Sequence, residues 1–177
     1  PKSISNVGHC DRVTYLKIGD LSYDSVKFAL TDFQNRVSGF MPQLKHGVIE
    51  SISFTGGKLD GETIYVSPAL NTLIGIRGSG KSSILEVLRY AFNIQPESDK
   101  EYKEGLVKSV LGSGGQITVR VCDKFGKKYE IRRIYGERPN VLDENGNDLG
   151  ISIDQILKNI LYFGQKDLSQ SSSYELQ

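Results

Sequence analysis

Residues 75–82 read GIRGSGKS, which satisfies G-x-x-x-x-G-K-[ST] through Gly75, Gly80, Lys81 and Ser82. Each residue type has a chemical reason at its place. Glycines let a backbone wrap closely around a polyphosphate so that successive N–H groups point inward, and a helix that starts within the loop adds partial positive charge. Lys81 would reach the β and γ phosphates, and the Ser82 hydroxyl would bind Mg²⁺. The cradle expected on this basis comprises Arg77, Gly78, Ser79, Gly80, Lys81, Ser82 and Ser83. An ordinary Gly-rich strand-to-helix turn is the competing explanation, and the flanks argue against it. NTLIGI reads as a short buried strand before the loop, and Ile84, Leu85, Val87, Leu88, Ala91 and Phe92 share one face of a helix after it.

Hydrolysis asks for more than a cradle. It needs an acidic residue at the end of an apolar strand to hold the metal, and a group that orients the attacking water. The candidate acidic pair is Asp143-Glu144 in PNVLDENGND, where two apolar residues lie between a proline and an Asn-Gly turn. Such a stretch makes a poor buried strand, and the pair reads as a solvated hairpin tip. No NKxD sequence, the guanine-reading element of GTPases, occurs in the chain. The sequence thus holds half of a catalytic site.

The rest of the chain must position these residues. With 177 residues it has room for one domain, or one domain plus an appendage. Charged residues at 24% and hydrophobic ones at 38% fit a globular protein, and no apolar run reaches the ~18 residues of a membrane span. Cys10 and Cys122 have no zinc or disulfide spacing, which makes a reducing cytoplasm the expected location. A net charge of +1 says little about partners. The opening on PKSISN without Met, and the close on YELQ after SQSSS, lead us to expect a piece of something larger.

Along the chain, VTYLKI (13–18) is strand-like, and Val26, Ala29, Leu30, Phe33 and Val37 recur at helical spacing behind the possible caps Ser22 and Asp24. VIESISF and ETIYV, separated by GGKLDG, form an expected hairpin. Residues 95–115 read as a loop or a short exposed helix. QITVRVC (116–122) and KKYEIRRIY (127–135) form a second hairpin, with a bulge expected where the apolar phase slips between Ile131 and Ile134. Ser152 and Gln155 fit a capping box ahead of a short helix, and LYFGQKDLS follows.

A hairpin, a phosphate loop with its helix, a second hairpin and then YFGQKDLS resemble the N-terminal lobe of an ABC-type ATPase head, within it the SMC and Rad50-like branch. The resemblance covers roughly residues 48–170 and implies an α/β P-loop NTPase fold with antiparallel hairpins beside the loop strand and helix. It implies ATP and Mg²⁺ as the bound groups. It also makes FGQKDL a Q-loop, with Gln165 near Mg²⁺ and the attacking water, so that Lys81 and Gln165 carry catalysis and Ser82 and Gln165 attend the metal. Many members carry Asn where this chain has Arg77. Arg there is similar to a subset in which a PHP-type phosphoesterase domain precedes the ATPase, and residues 1–40 resemble the closing strand and helix of such a domain. Residues 171–177 would begin a linker. The metal ligands of a phosphoesterase would lie upstream of Pro1. His9, beside Cys10 and Asp11, could be a ligand cluster, and a loop histidine is the simpler reading.

In that family the signature motif, the second acidic motif and a switch His lie far downstream, and a complete site forms between two heads. The partners implied are a C-terminal lobe of the same protein, a second head and DNA, with no membrane. This chain alone would bind ATP and hardly hydrolyse it. Arg120, Lys127, Lys128, Arg132 and Arg133 lie in a stretch with a local excess of positive charge, which could meet DNA phosphates or be a solvated hairpin face. A rival function is an ATP-gated interaction or dimerisation module without DNA. A small P-loop kinase is a third reading, but the chain shows neither an arginine-rich lid nor an acceptor site.

Overall fold

The computed structural model of the chain describes residues 13–40 and 46–164. The chain divides into two compact units, residues 1–43 and 44–177.

The first unit contains β1 (Tyr15–Leu16), α1 (Tyr23–Thr31), α2 (Phe33–Arg36) and β2 (Val37–Ser38). Ser22 caps α1 as the sequence leads one to expect, its Oγ accepting the Ser25 N–H at 3.2 Å. The Ser22 and Ser25 hydroxyls each donate to Asp20 Oδ1 at 2.5 Å, which holds that carboxyl below its usual range. The helical pattern through Val37 is not one helix. Asp32 ends α1 by donating to the Phe28 carbonyl, and Val37 turns extended and pairs with Leu16 in a two-strand antiparallel ribbon.

The second unit is built on a five-stranded antiparallel sheet in the order β4-β3-β5-β6-β7. Its strands are β3 (Val48–Thr55), β4 (Thr63–Tyr65), β5 (Gln116–Cys122), β6 (Lys128–Ile134) and β7 (Asn140–Leu142). Alternation puts Ile52 and Phe54 of β3, Ile117, Val119 and Val121 of β5, and Ile131 of β6 on one face, all buried. Helices α3 (Lys81–Ala91) and α4 (Lys100–Leu111) supply the other half of this core through Val87, Ala91, Val107, Val110 and Leu111. The short helix α5 (Ile153–Ile156) adds Ile153 and Ile156.

Several expectations are corrected. The β5–β6 register runs without interruption, so the bulge is not there; it lies in β3, between Ile49 and Ser51. The spacing Ile49, Ile52, Phe54 has the same slip, and the extra residue keeps Ile49 on the core face while Glu50 turns outward to Lys128. In β6 the core-face position after Ile131 is Arg133, opposite Ile117, and Ile134 belongs to the other face.

Of the two readings of residues 95–115 the helix is the one found, though one face of it is buried rather than exposed. This is the twelve-residue α4, whose Glu and Lys residues favour a helix while Val107, Val110 and Leu111 recur at helical spacing and are buried. After it, Gly115 crosses the end of α4 so closely that a Cβ there would lie 1.8 Å from the Leu111 carbonyl oxygen. β7 is a true edge strand with Val141 and Leu142 buried. The Ser152 side chain makes no cap bond to α5, so the capping box is not formed.

NTLIGI also departs from expectation. Residues 71–76 pair with no described strand, and Ile74 and Ile76 are 91% and 83% exposed. A strand apolar on both sides needs a strand beside it and a layer on each face. The sheet of the second unit has its apolar face already filled by α3 and α4.

Candidate phosphate-binding site

The loop before α3 is shaped by two left-handed glycines, Gly78 at φ 85° and Gly80 at φ 87°. Ser79 N donates to the Ile76 carbonyl at 3.2 Å, closing a turn with Arg77 and Gly78 at its centre. Gly80 is the residue from which α3 departs, and Ile84 N donates to its carbonyl at 3.0 Å. No side chain caps this terminus and its first turn has no acidic residue. The amides of Lys81, Ser82 and Ser83 are therefore the orphan donors of the helix start.

Lys81 folds back over the loop. Its Nζ donates to the carbonyls of Gly75 at 2.7 Å and Ile76 at 2.8 Å and to Ser79 Oγ at 3.2 Å, which accounts for all three ammonium donors. Gly75 lies close under the loop: a Cβ there would lie 2.6 Å from Ser79 Oγ, and that hydroxyl would have to shift. Left-handed glycines, an uncapped helix start, a lysine and the Ser82 hydroxyl make a donor set that suits a polyphosphate with a divalent cation.

A groove of about 540 Å³ opens beside the loop. Lys81, Ser82, Leu85 and Glu86 of α3 form one wall, Tyr102, Lys103 and Leu106 of α4 another, and Tyr162, Phe163 and Gly164 a third. The buried pair Glu86 and Arg89 escapes sequence reasoning because both fall in a helix read for its apolar face. Their side chains are 6% and 4% exposed, and Arg89 Nε meets Glu86 Oε2 at 2.6 Å. Arg89 also donates to the Ile94 carbonyl, and the Tyr162 hydroxyl donates to Glu86 Oε1 at 2.5 Å. Opposite charges at i, i+3 were the available signal. Gln165 follows Gly164 in the chain and lies outside the described residues, as does the His9, Cys10 and Asp11 cluster.

The five basic residues of the second hairpin do not share one face. Arg120, Lys128 and Arg132 project from the sheet face opposite α3 and α4, and each has an acid beside it: Arg120 and Arg132 meet Glu130 at 3.4 and 2.6 Å, and Lys128 meets Glu50 at 2.8 Å. The hydrogen bond to Glu50 raises the Lys128 ammonium above its ordinary value. Lys127 Nζ lies 5.1 Å from the centre of the Tyr129 ring. Arg133 points to the core side, with its guanidinium carbon 3.7 Å from the centre of the Tyr90 ring. It donates to the carbonyls of Glu137 and Tyr90 and to Asn93 Oδ1, fastening the end of α3 to β6. Burial pushes its value down, yet an arginine stays charged at neutral pH.

Asp143 is occupied with its own turn. Its carboxylate accepts the Asn147 side chain at 3.0 Å and the Asn145 and Asn147 amides at 2.9 Å each, which holds it below the usual carboxylate range. Among the described residues no group of three or more His, Cys, Asp or Glu side chains is placed to hold a metal, and no helix is long and apolar enough to cross a membrane.

A mixed helix and antiparallel-sheet unit with a lysine-clasped glycine loop at a helix start is the class of structure these observations define. No known protein-family profile matches the chain. Over 73 residues, 41% of its length, it is 38% identical to the DNA double-strand break repair Rad50 ATPase of Thermococcus kodakarensis. The matched region amounts to 8% of that protein. This partial match supports an SMC/Rad50-like relationship and is compatible with the α/β class.

Proposed function

We propose that the chain binds ATP with Mg²⁺ through residues 75–83, as the N-terminal portion of an SMC/Rad50-like ATPase head acting in a DNA-associated process such as repair or defence. The observation that carries this reading is the loop itself: an uncapped helix start, left-handed Gly78 and Gly80, and a lysine already turned over the loop. The backbone amides of 78–83 would hold the phosphates, with Arg77 at the loop tip. Lys81 would exchange its carbonyl partners for phosphate oxygens, and the Ser82 hydroxyl would be a ligand of the cation. The bound cation neutralises phosphate charge.

Hydrolysis belongs, on this reading, to a larger assembly. Asp143 is engaged in a turn and Glu86 is committed to Arg89 and Tyr162, so neither is free to prepare a water. Gln165, a C-terminal lobe and a second head would complete the site. The exposed Ile74 and Ile76 suit a strand that such a lobe would cover. Residues 1–40 are read as the end of a preceding PHP-like domain.

The test is calorimetric titration with ATP and Mg²⁺. The wild-type chain should bind, and Lys81→Ala should weaken binding at least about tenfold, the effect of losing one or two charged contacts to phosphate. Equal affinity in the two proteins would defeat the phosphate-loop assignment.

The ion pairs of Arg120, Lys128 and Arg132 favour a second reading, an ATP-gated interaction module without DNA, because each cation has an acid beside it. Stimulation of turnover by duplex DNA in the longer protein decides for the first reading. Its absence decides for the second.

A further inference from the structure

The C-terminal end of α3, remote from the phosphate loop, borders another cavity, of about 300 Å³. Its walls include Arg89 and Tyr90 of α3, Glu104 and Val107 of α4, and Arg133 and Tyr135 of the second hairpin. A guanidinium carries its donors on three nitrogens, and each arginine here uses two of them on the protein. Arg89 donates from Nε to Glu86 and from Nη1 to the Ile94 carbonyl. Arg133 donates from Nε to the Glu137 carbonyl and from Nη1 to the Tyr90 carbonyl and Asn93 Oδ1. In both, Nη2 makes no hydrogen bond to a described residue.

For Arg89 this is informative, because its side chain is only 4% exposed. Among the described residues no fully buried side-chain nitrogen or oxygen lacks a partner, so the open Nη2 keeps its contact with water, and the cavity it lines is where it does so. Two arginines thus bring spare donors to one enclosed space. They also act on each other: burial, and after it the Arg89 charge, press the Arg133 guanidinium below its ordinary value against the opposing effect of Tyr90. An anion between them would relieve that repulsion and occupy both nitrogens.

The rest of the wall narrows the choice of anion. The Tyr90 and Tyr135 rings, with centres 6.1 Å apart, and buried Val107 offer apolar surface beside the charges. Glu104 sets an exposed carboxylate at the same cavity, where it opposes a second negative charge. Singly charged and carried on a short apolar stem, a carboxylate meets both conditions, whereas a phosphate dianion meets neither.

We propose that this cavity is a carboxylate-binding site, in which Nη2 of Arg89 and Nη2 of Arg133 donate to the carboxylate oxygens and the tyrosine wall takes the stem. The ligand is a small organic acid or an acidic side chain of a polypeptide, which share this chemistry. The site is independent of the nucleotide-binding reading.

The test is a titration of the full chain with propionate, and separately with inorganic phosphate, followed by ¹⁵N NMR at neutral pH and constant ionic strength. Propionate should shift the amides of the cavity residues Gln95, Tyr135 and Gly136, with a Kd in the millimolar range expected of so small a ligand. Phosphate should bind at least about fivefold more weakly. Glu104→Gln alters an exposed side chain, and should tighten propionate about two- to fivefold and phosphate by more. Arg133→Lys, checked for its fold by a thermal melt, should weaken propionate at least about fivefold, because a lysine cannot hold the α3 carbonyl and the ligand together. A blocked Ala-Glu-Ala peptide distinguishes the sources: binding at least as tight as that of propionate identifies an acidic side chain, and no binding identifies a small acid. Absence of propionate shifts at the cavity, phosphate binding as tightly as propionate, or unchanged affinities in Glu104→Gln would overturn the assignment.

Discussion

Replacing Arg133 by Ala separates a structural cation from a nucleic-acid ligand. The guanidinium donates to the Glu137 and Tyr90 carbonyls and to Asn93, and stacks on the Tyr90 ring. Truncation would leave acceptors at the end of α3 without their charged donor. Hydrogen bonds from charged groups to neutral acceptors contribute about 1.5–3 kcal/mol each when well buried, and a stacked cation about 1 kcal/mol. This site is only half buried, so water takes over part of the loss, and a total of about 2–4 kcal/mol is expected. Urea denaturation followed by circular dichroism measures it. Arg120→Ala and Arg132→Ala, which break surface ion pairs with Glu130, should each cost less than about 1 kcal/mol in the same assay. Below the unfolding transition, DNA affinity of the Arg133 variant should equal that of the wild type at each salt concentration. A variant as stable as the wild type that loses DNA binding would refute this reasoning.

Three further outcomes can be checked. Leu111→Ala should cost about 2–5 kcal/mol in denaturant titration, because the side chain is fully buried where α4 meets the sheet. Gly80→Ala forces a side chain to φ 87° and should lower stability by about 1–3 kcal/mol, with weaker ATP binding in calorimetry because the helix start is displaced. The Asp143 carboxyl is depressed in the folded state, so its stabilisation is complete above the unfolded value of about 3.9 and is lost as pH falls through the folded value. Exchange at the Asn145 and Asn147 amides should accordingly quicken in acid relative to neighbouring turns, and Asp143→Asn should abolish that pH dependence.

Legibility in the sequence followed how local each signal was. The glycine loop and the start of α3 were readable because the loop's contacts, such as Lys81 with Gly75, Ile76 and Ser79, fall within a few residues of one another. Both hairpins were readable from period-two alternation. Arg133 was misread because an arginine counts as surface by composition, while its stem and head here replace an apolar residue against Tyr90. The bulge was assigned to β6 for the same reason: Arg133 interrupts the apolar alternation without interrupting the register. The helix at α4 was one of two readings, and its buried face was obscured by the charges of its exposed side. NTLIGI has the composition of a buried strand, and composition cannot report whether a neighbouring strand is present. The Glu86 to Tyr162 contact spans too much sequence for any local pattern to show it.

The exposed stretch before the loop has a consequence for how the molecule opens. Strands β3 and β5 pair from Val48 with Cys122 to Thr55 with Gln116, while the backbones of Thr72, Leu73 and Ile74 make no hydrogen bond to any described residue. Amides at 72–74 should therefore exchange at nearly free-chain rates while those of β5 exchange only through global unfolding. The sheet and the glycine loop would then be separate cooperative units, and the residues proposed to hold a nucleotide could change without a matching loss in the stability of the sheet.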